Sequence, residues 1–259
     1  MLDALYITMI TRLPLRTALG LELLTTAFES VPALTPTHWA PGDPARRPYD
    51  HHDIITTVSS YKNDAYSPSL RRAKPLRYNA FFTAYNDEPN DVQIDCRSAI
   101  RARDVPPIFA LGEALAAALE PDLGLIHLSW DEGERAQAYD ASSAIKARDL
   151  HAFGPRALTA RTWLGRHLVD LIGRARLEDA GLIAQDTAWG GVVVDLVPKL
   201  WETDFDTLAS RQQEVMSILA PSGVFGDYGD SSDPKRGPCW TPFPDAMLTS
   251  THASSSPAN

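Results

Sequence analysis

The stretch Gly154–Gly173, GPRALTARTWLGRHLVDLIG, decides how the rest of the chain is read. Ala157, Thr159, Arg161 and Trp163 alternate with Leu158, Ala160, Thr162 and Leu164, and a two-residue period is that of a strand. Gly165 interrupts the pattern. Beyond it Leu168, Leu171 and Ile172 recur at helical spacing, and Gly173 stands where a left-handed cap closes a short helix. The unit is therefore a strand, a tight glycine turn and a short amphipathic helix, with no catalytic signature laid over it.

Moving outward on the N-terminal side, LGLIHLSW (Leu123–Trp130) reads as a buried strand. Before it, Pro106 and Pro107 open a helix through Leu119, striped by Ile108, Leu111, Leu115, Ala118 and Leu119 and stopped by Pro121. Leu76–Tyr85 and Val92–Ile100, separated by NDEPND, form an antiparallel hairpin. The chain begins with a strand over Leu5–Ile10 and a helix opened by Pro14. A proline-rich crossover over Val31–Asp50 follows, with room for an edge strand at Thr37–Ala40. Asp53–Tyr61 is balanced between helix and strand. Glu132–Leu150 is a polar, alanine-rich connection with one irregular element.

On the C-terminal side, Arg174–Ala180 is a helical turn, and Leu182–Asp186 and Gly191–Val197 are strands about a turn at Trp189 and Gly190. Asp204 caps a helix carrying Leu208, Val215, Ile218 and Leu219, which ends at Pro221 and Gly223. The expected architecture is α+β: a mixed, mostly antiparallel sheet with helices packed against one face. Residues 1–225 make a single domain, and 226–259 an extended C-terminal arm and flexible tail, because Gly, Asp, Ser and Pro dominate there.

Composition limits the function. The net charge of −9 repels nucleic-acid phosphates and anionic membranes and favours a basic partner. Two cysteines, Cys96 and Cys239, are too few for a disulfide framework, and there is neither a secretory signal nor a bilayer-long apolar run, so a cytoplasmic location is expected. The oligomeric state is not written in the sequence.

Candidate chemistry is sparse. His51, His52 and Asp53 form the one adjacent group of metal-capable side chains, but neighbours point apart, and a polar loop with Asp53 as a helix cap is the preferred reading. Asp131, Glu132 and Glu134, just past a buried strand, suit acid–base work less well than an acidic rim facing a basic partner. Cys96 would be a nucleophile only if His127 lay beside it. The sequence has no GxSxG turn, no phosphate loop and no dinucleotide fingerprint, so no cofactor is expected. The arm Gly223–Pro244 combines Asp227, Tyr228, Asp230 and Trp240, which suits a packed lid or a partner-binding segment.

The order of these elements, with GP..LT.RTWLG.HLVDLIG flanked by PPIFALGEALAAALEPDLGLIHLSW and TDFDTLASRQQEVMSILAPSGVF, resembles the immunity-protein-52-type families found beside bacterial polymorphic toxins and secretion-system effectors. The resemblance spans about residues 75–225. It implies an α+β fold without catalysis that binds a cognate toxin tightly in the cytoplasm, with Arg161, Trp163 and Gly165 as scaffold. Two rival functions stand beside it: a hydrolase or transferase using Cys96 or the Asp131 and Glu132 pair, and a structural component of a phage or secretion system.

Overall fold

The computed structural model describes residues 2–62, 65–85, 89–97, 100–229 and 233–243. In chain order the elements are β1 (Leu2–Thr11), α1 (Ala18–Glu29), β2 (His38–Ala40), β3 (Arg47–Pro48), α2 (His51–Ser59), β4 (Ala65–Tyr66), β5 (Ser69–Arg72), β6 (Tyr78–Tyr85) and β7 (Asn90–Arg97). They continue with α3 (Val105–Leu119), β8 (Leu123–Trp130), α4 (Glu134–Ser143), α5 (Ala147–Phe153), β9 (Arg161–Leu164), α6 (Arg166–Ile172), α7 (Arg174–Asp179), β10 (Gln185–Asp186), β11 (Val192–Asp195) and α8 (Phe205–Leu219).

These strands form one sheet in the order β10-β11-β9-β8-β1-β7-β6-β5-β2-β3, with β4 also paired to β6. Every ladder among the described residues is antiparallel, so the parallel component of a mixed sheet is not seen there. The first strand is central, flanked by β7 and β8, because Leu5, Ile7 and Met9 must be buried on one side while both edges need ladder partners. The expected hairpin is β6–β7, paired from Asn79↔Asp95 to Thr83↔Asp91.

One face carries the main core. Trp39, Leu70, Tyr78, Ala80, Phe82, Val92, Ile94, Cys96, Leu5, Ile7 and Met9 are all buried, and α3 closes over the β8 end of this face. Trp163 is fully buried there. A Cβ added at Gly112 of α3 would stand 3.0 Å from its ring, and one added at Gly124 of β8 would stand 3.1 Å away. Two glycines on facing elements thus make the slot that the indole fills.

Several local expectations shift. β9 is only Arg161–Leu164, because Thr159 turns the preceding segment: its N–H donates to Thr162 Oγ1, and its hydroxyl donates to the carbonyl of Ile126. Gly165 caps α6, and Gly173 closes it at φ +88°. The ambiguous Asp53–Tyr61 segment is helical as far as Ser59, and its cap is Asp50, which accepts from the Asp53 N–H; Asp53 itself lies in the first turn. The Glu132–Leu150 connection holds two helices, α4 and α5. Helices also occupy both faces, since α4 lies against β8 on the side away from α3.

The arm belongs to the fold. Gly226 N–H donates to Pro155 O, Gly237 N–H to Phe153 O and Trp240 Nε1 to His151 O, so residues 226–229 and 233–243 strap back over the stretch that precedes β9. Among the described residues, no helix is long and apolar enough to cross a membrane.

Candidate partner-binding face

Register places alternate side chains of β1, β5, β6 and β7 on the face opposite the main core. His38, Arg71, Asn79, Asp95, Tyr6 and His127 form one continuous cross-strand row. Ser69, Phe81, Gln93, Thr8 and Leu125 form the next. At the β8 end the row runs under α4 and His127 is buried. Away from α4 it opens: Tyr6, Thr8, Asn79, Phe81, Asp95, Arg71 and His38 are half-buried and Gln93 is exposed, while Ser69 is buried and its hydroxyl donates to Gly42 O. An antiparallel sheet tolerates one such wet face, provided that its strands alternate apolar and polar, as these do.

A cleft of about 270 Å³ sits where α4 meets the β1 end of this open half, lined by Asp3, Tyr6, Arg97, Ser129, Asp131 and Asp140 among others. Asp3 stands at an irregularity in the β1–β8 register between Leu2 and Ala4, which turns it towards the cleft. Arg97 pairs with Asp95 at 2.6 Å and lies over the Tyr6 ring. Behind the cleft, Asp140 joins two β8 side chains: Ser129 Oγ donates to Oδ2 at 2.7 Å, and His127 Nε2 is 2.7 Å from Oδ1. The Tyr139 ring stacks on His127 at 4.5 Å.

Burial and like charge set the electrostatics. Burial, then the charge of Asp95, pushes the Tyr6 hydroxyl above its ordinary pKa. Burial also raises Asp95, and Arg97 offsets this only in part. Burial lowers His127, against the pull of Asp140. The cleft is rich in carboxylates with one guanidinium among them, suited to receiving a cation.

The residues expected to carry function are divided by the fold. Asp131 lines the cleft, and Glu132 and Glu134 are exposed just beyond it. Asp227 is exposed on the arm, Tyr228 is half-buried with its hydroxyl donating to Gly154 O, and Asp230 lies outside the described residues. Trp240, expected among the contacts, is instead a core residue, 2% exposed and packed against His167 and Phe243. Cys96 and His127 are not neighbours: Cys96 pairs with Leu5 and His127 with Tyr6, so they project from opposite faces. Burial pushes the Cys96 thiol up to about 12. His51 bridges Glu22 and Glu29 between helices, and among the described residues no three His, Cys, Asp or Glu side chains are grouped to hold a metal. Tyr6, Asp95, Arg97 and Asp140 were not singled out from the sequence. For Tyr6, Asp95 and Arg97 the signal is the polar half of the alternation in LYITM and QIDCR; Asp140 lies in the polar, alanine-rich connection.

No family model matches the sequence, and no curated protein matches it. A solved structure described as Pseudomonas aeruginosa T6SS protein PA0821 superimposes with a TM-score of 0.58 at 15% identity, covering 86% of this chain and 74% of that one. The two share a fold.

Proposed function

We propose that this chain is an immunity-type protein that binds a cognate bacterial toxin in the cytoplasm and neutralises it by covering its active site, with no turnover of its own. The observation that carries the reading is the fold shared over 86% of the chain with a T6SS protein, a secretion-system context. The residue pattern around Trp163 and the net charge of −9 point the same way. Toxins that cut nucleic acid need basic clefts, and an acidic surface competes for such a cleft sterically and electrostatically.

The reading requires an effector gene next to this one, and the test is co-expression with that effector. Growth should be rescued, and the two proteins should co-elute as a complex whose association rate falls as salt rises. Absence of both protection and complex overturns the reading.

A further inference from the structure

Among the described residues, the open half of the sheet is left without an internal role. From β2 to β1 it crosses five strands, roughly 20 Å at about 4.8 Å per strand, a width suited to one side of a protein–protein contact. The half-buried aromatic Phe81 stands on the middle strand β6 and the half-buried Tyr6 at the β1 end beside the cleft, with polar and charged groups around them, the mix of aromatic anchors and wet surroundings found in interfaces. We infer that this β2–β5–β6–β7–β1 face, with the cleft at its β1 end, is the surface on which a basic protein docks, an arginine or lysine of that partner entering the cleft beside Tyr6. The inference rests on the binding function proposed above and assigns it a place.

Charge selects the occupant. Asp3, Asp131 and Asp140 line the cleft, and Arg97, the one cation among its described lining residues, is already held by Asp95 and the Tyr6 ring. Asp3 and Asp131 line the cleft and are exposed, so both carboxylates face solvent where an incoming cation would arrive. An anionic polymer or lipid surface would be repelled by these carboxylates.

The probe is the effector that protection by co-expression identifies, purified and catalytically silenced, titrated against the full-length protein. Gln93→Arg and Asp131→Arg should each weaken the complex roughly 10- to 100-fold. Asp179→Arg, on the exposed side of α7, should leave it within about twofold, in the range of neutral surface changes. Melting curves confirm folding, and Asp131, in an exposed turn, keeps the test open if Gln93→Arg disturbs its strand. Face variants that bind like the unaltered chain, or an equal loss with Asp179→Arg, overturn the docking face while leaving the proposed function intact. If the unaltered chain neither binds nor protects, both fall.

Discussion

His127 Nε2 and Asp140 Oδ1 meet at 2.7 Å, tying a β8 histidine that is 2% exposed to the helix laid over it. With a carboxylate as acceptor, Nε2 carries the proton, and the imidazole is neutral because burial lowers its pKa. In the unfolded chain the same imidazole protonates near 6.5. Below that pH the unfolded state binds the extra proton and the native state does not, so stability falls with acidification until the lowered native pKa is reached. Asp140→Ala should cost about 1–3 kcal/mol by stripping the acceptor from His127 and Ser129. His127→Asn should flatten the loss below 6.5. Denaturant melts from pH 4.5 to 8 check both, and an unchanged acid slope in His127→Asn would refute the assignment.

His51 has the opposite sign. Burial pulls its pKa down, but hydrogen bonds to Glu22 and Glu29 outweigh this and leave it raised. The protonated ring clasps α1 to α2, so its contribution is fully present below 6.5 and disappears as pH rises through the raised native value. His51→Gln should therefore lose stability relative to the parent on the acid side and match it at pH 9. A deficit that grows with pH would contradict this.

The Trp163 slot predicts a steric effect. A methyl at Gly124 would stand 2.8 Å from Met9 Sδ and 3.1 Å from the indole, and the indole cannot retreat because Gly112 is on its other side. Gly124→Ala should cost about 1–3 kcal/mol through overpacking, and Trp163→Ala about 3–5 kcal/mol through the cavity it opens. The double variant should lose less than the sum, since each change removes part of the other's cause. Strict additivity in denaturant melts would show that the contact is not the source.

Much of the architecture was readable because it depends on local period and punctuation. Leu123–Trp130, the β6–β7 hairpin, the proline-opened α3 and the Asp204 cap of α8 each follow from residues within a few positions of one another. What was hidden depends on partners distant in sequence. β9 is short because Thr159 bonds to Ile126, thirty-three residues away. The second helical layer depends on Asp140 reaching His127 and Ser129 from a helix with little amphipathic pattern. The candidate face is assembled from five strands, so Asp131 was visible as an acidic turn while Tyr6 and Asp95 had no reason to be joined to it.

The arm supplies the last prediction. Trp240 is buried against the strand-entry stretch, donates to His151 O, and lies 3.2 Å from where a Cβ on Gly154 would stand. Gly154 also sits at φ +95°, which an L side chain adopts only with strain. Phe243, next to Trp240, lies over Arg12, whose guanidinium is paired with Asp122. The arm therefore shields an ion pair that joins the end of β1 to the start of β8. Trp240→Ala should cost about 3–5 kcal/mol and expose the arm to proteolysis between 226 and 243. Gly154→Ala should act in the same direction, because the added methyl also meets Val224 O at 2.4 Å. Under the proposed function, binding of the partner by the full-length Trp240→Ala protein, measured where it remains folded, should change less than that of Asp131→Arg. A larger loss in Trp240→Ala would make the arm, rather than the open sheet face, the contact surface.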